Sequence, residues 1–177
     1  MKNGVVKVAC GAPMVHLADP VRNATELIRL TQKAHLEGAS LILYPELSLT
    51  GYTCGDLFFN EKLIQSAKDE LGRYLEETKR CSCVSVLGLP LIHEGRLHDC
   101  AAVCKSGKLL GIVSKSALSH GESRHFASEK ALDARICLFG ADVRFGTDGV
   151  FDASDFQFEI RMPGDRIDVS KKSVAVV

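Results

Sequence analysis

The chain has 177 residues, 46% of them hydrophobic and 25% charged, which describes one globular domain able to bury roughly two thirds of its unfolded surface. Lysine plus arginine balances aspartate plus glutamate at 22 each, so charge makes no case for nucleic acid or an anionic membrane as partner. No apolar run approaches the ~20 residues of a membrane span, and the start, Met1 to Val8, lacks the apolar core of a signal peptide.

The seven cysteines are an odd number, scattered from Cys10 to Cys137 without a Cys-x-x-Cys pair. That spacing argues against zinc and thioredoxin-type sites, so no metal site is expected. Free thiols in a reducing compartment are the simpler reading, and they place the chain in the cytoplasm.

In chain order, residues 4–10 read as a first, valine-rich strand. Asp19-Pro20 then opens a helix, an N-cap acceptor followed by proline in the first turn. Val21, Ala24, Leu27, Ile28, Thr31 and Ala34 keep helical spacing, and Gly38 ends the run. Leu41 to Tyr44 is a short, wholly apolar run, the pattern of a strand covered on both faces. Pro45 has no N–H for a sheet ladder, so this strand stops there.

Asn60 to Lys79 reads as a second amphipathic helix, with Leu63, Ile64, Ala67, Leu71, Tyr74 and Leu75 on one face. Cys83 to Leu89 is a third apolar strand, expected to close at Pro90. Strand, helix, strand, helix, strand over ninety residues predicts an α/β sheet. Asp99–Cys104 and Leu109–Val113, separated by Lys-Ser-Gly-Lys, read as an antiparallel hairpin. Residues 119–131 are polar and loop-like, and 135–139, 149–151 and 156–160 read as further short strands. Arg161 to Val177 keeps no consistent period.

Two strand ends carry candidate chemistry. Glu46 lies just past the carboxyl end of the Leu41–Tyr44 strand, where open α/β sheets bind ligands. A carboxylate among apolar neighbours can have its proton affinity raised, which suits a general base; a partly solvated loop glutamate is the plainer alternative. Lys115 follows Gly111-Ile112-Val113-Ser114 at a second strand end, and Glu122 stands on the loop after it. Glutamate and lysine converging on one crevice would supply a proton acceptor and a fixed positive charge for an oxyanion. Such a site still needs a nucleophile, and spacing does not choose one. Cys10 and Cys54 lie near the crevice in sequence, whereas Cys83, Cys100, Cys104 and Cys137 fall within apolar strands as expected core thiols.

Tyr44-Pro45-Glu46-Leu47, followed by Thr50-Gly51-Tyr52-Thr53-Cys54-Gly55-Asp56-Leu57-Phe58, resembles the nitrilase superfamily of carbon-nitrogen hydrolases. More narrowly it resembles the amino-terminal glutaminase domain of glutamine-dependent NAD+ synthetases, enzymes of NAD biosynthesis. Val86-Leu87-Gly88-Leu89-Pro90, Asp99-Cys100-Ala101, Gly107 to Lys115, Phe126-Ala127-Ser128 and Phe145-Gly146-Thr147-Asp148 match further blocks in the same order. The resemblance covers residues 5 to about 160, so residues 1–160 are expected to be a partial carbon-nitrogen hydrolase (glutaminase) domain and 161–177 a tail outside it. It implies part of a four-layer αββα sandwich, in which two sheets pack face to face.

The resemblance further implies hydrolysis of the side-chain amide of glutamine by a glutamate, a lysine and a cysteine. Glu46 matches the general base, Lys115 the lysine that stabilises the tetrahedral intermediate, and Glu122 a further glutamate that fixes the site. The thiolate attacks the carboxamide carbon, ammonia leaves, and water releases glutamate from the thioester. The ammonia passes to a synthetase domain that uses ATP and magnesium; that domain has no match here, and no cofactor is expected in this chain. The family forms homo-oligomers.

Departures accompany the matches. The family's nucleophile follows a Glu-Ile pair, and here Glu159-Ile160 is followed by Arg161. His120 falls where a glutamine-contacting tyrosine is usual, and the loop at 119–125 is short. An inactive glutaminase-domain portion is therefore expected. A non-catalytic remnant or binding module is the alternative, and another amidase of the superfamily a weaker one. Because the resemblance supplies only part of the second sheet, an apolar face of the first is expected to be incompletely covered.

Overall fold

The computed structural model describes residues 5–162 and Gly164. The proposed strand start at Gly4 and most of the tail after Arg161 lie outside these residues. Asp19 caps the first helix, α1 (Pro20–Leu36), its Oδ1 accepting from Arg22 N at 3.1 Å. Asn60 caps the second, α2 (Glu61–Glu77), in the same way through Lys62 N at 3.0 Å. The buried face of α2 is the one its periodicity predicts. On α1 one position differs: Val21 is exposed, and Asn23 is buried in its stead. Asn23 donates to His16 O and Leu49 O and accepts from His16 N, so its polarity is spent tying the loop before α1 to the turn after the second strand.

The helices lie against one face of a seven-stranded sheet of order β1-β2-β3-β4-β5-β7-β6. Its strands are β1 (Val8–Cys10), β2 (Leu41–Leu43), β3 (Val84–His93), β4 (Arg96–Lys105), β5 (Lys108–Ser114), β6 (Asp133–Leu138) and β7 (Ala141–Gly146). β1, β2 and β3 are parallel, as helical crossovers require, whereas β3, β4 and β5 form an antiparallel meander. A separate hairpin joins β8 (Val150–Asp152) to β9 (Gln157–Glu159). Thr31 Oγ1 lies 2.7 Å from the hydroxyls of both Tyr44 and Tyr74, so a buried chain of hydroxyl bonds links α1, α2 and the end of β2.

Three sequence expectations need correction. Pro90 does not close β3, which runs on to His93 with Pro90 opposite Asp99. Tyr44 N donates to Val86 O and Leu49 N to Gly88 O, so by alternation the nitrogen of Pro90 points toward the same edge, beyond the end of β2, where no ladder donor is needed. β7 has no counterpart in the sequence reading and inserts between β5 and β6, pairing Ile112 with Phe145 in parallel. Its Asp142 and Arg144 broke the apolar pattern, yet they pair across to Arg135 and Asp133 on the edge strand β6.

The third correction concerns the second face of the sheet. Leu41, Val84, Val86, Ala101, Val103 and Val113 are all buried, packed with Ala153, Phe158, Ile160 and Met162. Phe151 stacks on Phe158 with ring centroids 5.6 Å apart, and Lys105 Nζ donates to Ala153 O at 2.6 Å, pinning the segment down. Burying a side chain the size of Phe158 contributes about 1.5–3 kcal/mol. The expected bare patch is therefore not found over these residues.

Candidate active site

The crevice is built where β2 and β5 end. After Leu43 the chain turns, and Ser48 Oγ accepts from Gly88 N at 3.0 Å while Leu49 N donates to Gly88 O at 3.0 Å. The Glu46–Leu47 peptide thus lies directly on β3. A Cβ built on Gly88 would stand 2.2 Å from Leu47 N and 2.8 Å from the carbonyl carbon of Glu46. Only glycine fits, and this close approach sets where Glu46 emerges. Leu47 takes a φ of 50°, a left-handed conformation that costs an L-residue about 1–2 kcal/mol and is here offset by full burial of its side chain.

Lys115 follows β5, its backbone N donating to Asp99 O on β4 at 2.9 Å. Its Nζ lies 2.6 Å from Glu46 Oε1 and 2.7 Å from Glu122 Oε1. Side-chain exposures of 4% for Lys115, 15% for Glu46 and 8% for Glu122 make this a buried three-membered charge cluster, unlike the solvated surface pairs elsewhere. Glu122 opens a short 3-10 turn (Glu122–Arg124); its Oε1 also accepts from Tyr52 OH at 2.9 Å, and its Oε2 from Ser119 N at 2.6 Å.

Burial works to raise the Glu122 carboxyl, but the hydrogen bonds from Lys115, Ser119 and Tyr52 outweigh it and hold the group at about 2. Burial likewise works to lower Lys115, and the bonds to Glu122 and Glu46 outweigh it, so the ammonium is held charged. Asp99 is the opposite case. It is wholly buried, neither carboxylate oxygen has a donor partner, and burial followed by the neighbouring Glu46 pushes it up to about 9. One oxygen each of Glu46, Asp99 and Glu122 lie within 4.8 Å of one another, with the Lys115 ammonium bound to two of the three. That ammonium already serves as the cation of the cluster.

A shallow cavity of about 230 Å³ opens beside the cluster, lined by Tyr52, Thr53, Phe58, Ser119, Glu122 and His125 among others. A larger one, about 460 Å³, lies between α2 and the β3–β6 region and contains none of the charged cluster. His120 is exposed and does not line the 230 Å³ cavity, although Ser119 and Gly121 on either side of it do.

No described cysteine stands out as an activated nucleophile. Cys54, Cys81, Cys83, Cys100 and Cys104 are buried, and burial raises every one of these thiols, Cys83 to about 11. Cys10 is exposed. Cys137 is exposed as well, which corrects its reading as a core thiol: β6 is an edge strand, so alternate residues face water. Arg161 is largely buried, its side chain 17% exposed, and its guanidinium is engaged by Glu159.

The sequence singled out Glu46, Lys115 and Glu122, and the fold brings all three together. It missed Tyr52 and Ser119, which hold Glu122, and Asp99. Asp99 could have been noticed as a lone acid inside the apolar run from Leu97 to Val103.

The family model described as carbon-nitrogen hydrolase matches residues 8–168. The chain belongs to the carbon-nitrogen hydrolase family. Among relatives, it is 35% identical over 158 residues to a glutamine-dependent NAD(+) synthetase of Mycobacterium tuberculosis strain H37Rv, and 28% identical over 156 residues to that of Mycobacterium leprae. These alignments cover 87% and 86% of this chain but 23% of either relative, so the chain spans about a quarter of their length. In fold it is similar to a glutamine-dependent NAD(+) synthetase from Cytophaga hutchinsonii, with a TM-score of 0.83 at 20% identity over 91% of this chain and 28% of that one. An amidase from Nesterenkonia sp. aligns with a TM-score of 0.65 at 17% identity, over 89% of this chain and 55% of that one. Both likenesses show the nitrilase-type fold.

Proposed function

We propose that the chain is the glutaminase portion of a glutamine-dependent NAD+ synthetase, built to accept the side-chain amide of glutamine but silent in hydrolysis as it stands. The observation that carries the reading is Lys115 held between Glu46 and Glu122 in a buried crevice. A lysine charge at fixed distance from two carboxylates suits an amide whose carbonyl oxygen becomes an oxyanion when attacked. Silence follows from Arg161, which takes the position where the resemblance calls for a thiolate and is occupied with Glu159. Without a covalent step, electrostatic help alone leaves a rate lower by several orders of magnitude. In the full arrangement the ammonia would pass to an ATP-using synthetase partner, and seven free thiols fit the cytoplasmic setting that goes with it.

The binding-module reading is favoured by the same ion pair, since an engaged Arg161 leaves a polar pocket without a nucleophile. One experiment addresses both. Glutamine is titrated into the labelled protein while ammonia release is followed by a coupled assay. The expected result is weak, saturable perturbation near Tyr52, Ser119 and Lys115 with no ammonia above the uncatalysed level. Ammonia release abolished by Cys10→Ser or Cys54→Ser would overturn the silence, and no perturbation at all would overturn the binding.

A further inference from the structure

Asp99 stands on β4, in the middle of the sheet, and is 0% exposed. Its own backbone carbonyl accepts from Lys115 N at 2.9 Å, and one of its carboxyl oxygens lies within 4.8 Å of an oxygen of Glu46 and of Glu122. Neither Oδ1 nor Oδ2 receives a hydrogen bond. Glu46 faces it from the turn after β2, Lys115 from the end of β5 and Glu122 from the loop beyond; Cys100 adjoins it on β4. Tyr52 and Ser119 face Glu122 and spend their donors there. The bonds assigned to Lys115 Nζ go to the two glutamates.

Three ionised carboxylates against one ammonium would leave two uncompensated negative charges, and protonating the buried carboxylate that has no donors removes the costlier of them. Neighbouring carboxyl groups relieve this by sharing a proton, and one oxygen each of Asp99 and Glu46 lie within 4.8 Å of each other. We propose that Asp99 is a carboxylic acid at neutral pH, donating its proton to Glu46 and so helping to orient it. Asp99 is then a positioning residue: it fixes the carboxylate that the crevice presents. The upward push on Asp99 by burial and by Glu46 and Glu122, against which only Lys115 works, supports the same assignment. The inference holds whether or not the chain cleaves an amide, so its failure and that of the glutaminase reading are distinguishable.

The test compares the parent protein with Asp99→Asn, which keeps a donor toward Glu46 but cannot titrate. Infrared spectra at pH 7 are expected to show the carbonyl stretch of a protonated carboxylic acid in the parent, shifted in heavy water and absent from D99N. The folded acid keeps its proton up to about 9 while the unfolded aspartate loses it near 3.8. Parent stability therefore falls as pH rises through that window and levels above it. The thermal midpoint of D99N should accordingly gain on the parent steadily from about pH 4 to pH 9, a trend that loss of packing alone would not produce.

Should D99N fail to fold, carboxyl-carbon resonances of the parent decide alone: among its 22 acidic residues one must remain in the acid form at pH 7. Finding every acidic group ionised at pH 7 would overturn the proposal. So would a parent stabilised by magnesium or manganese where D99N is not, which would make Asp99 a cation ligand.

Discussion

Two parts of the crevice region contrast sharply. The ends of β2 and β5, with Asp99 on β4 and Glu122 on the turn beyond, hold a buried lysine with three carboxyl groups. The segment from Val150 to Met162 covers the adjacent sheet face with phenylalanine and isoleucine, and carries an arginine paired within two residues of itself. The first is expensive to bury and persists only because its charges are paired. The second stabilises the sheet whatever residue stands at 161. Within the cluster the lysine is paired with two glutamates, so removing it is costly.

The largest expected effect breaks the first region. Lys115→Met leaves Glu46 and Glu122 facing each other without their cation, and should cost about 3–5 kcal/mol in denaturant unfolding. A loss below about 1 kcal/mol would mean that water reaches the cluster and screens it. Gly88→Ala comes next. A methyl against the Glu46–Leu47 backbone should cost about 1–3 kcal/mol, and it should shift the Tyr52 and Ser119 amide resonances as Glu46 is displaced. An unchanged midpoint would show that the turn can lift off β3 freely.

Acid titration sharpens the comparison. Glu122 sits at about 2 when folded against an ordinary 4.5, so its contribution is fully present above about pH 4.5 and is lost as pH falls toward 2. It should amount to about 3 kcal/mol, and Glu122→Gln should flatten that limb of the stability–pH curve. Asp99 gives the opposite slope at higher pH, so the two carboxyl groups are separable in one titration. The last substitution belongs to the second region. Arg161→Cys leaves Glu159 without its cation in a pair whose side chains are only 17% and 8% exposed, so it should cost about 1–3 kcal/mol, and it should yield no ammonia from glutamine. Labelling of the new thiol by a glutamine-like electrophile, blocked by glutamine, would show a better-formed site than this reading allows.

What was legible in the sequence follows physical lines. Caps such as Asp19 and Asn60 announce their helices because the signal is local. Glu46 and Lys115 stand out because a charged residue next to an apolar strand end is conspicuous. Continuity of β3 through Pro90 was hidden, since tolerance of proline depends on which neighbour has already ended. β7 was hidden because its charges are compensated only across the strand pair. The roles of Tyr52 and Ser119 were out of reach as well: a tyrosine or serine in a loop has no partner until the fold supplies Glu122. Arg161 was read as a substitution, but its engagement by Glu159 needed coordinates.

The separation along the chain of the site's two ion pairs has a kinetic consequence. Lys115 meets Glu122 seven residues away but meets Glu46 across 69 residues. Closing the longer loop costs more chain entropy and requires β2, β3, β4 and β5 to be aligned beforehand, whereas the shorter contact needs only one turn of chain. The site should therefore assemble in two stages, Lys115 with Glu122 early and Glu46 docking late. Substitutions at Glu46 should leave the refolding rate nearly untouched and accelerate unfolding, while substitutions at Glu122 should affect both limbs of a denaturant chevron.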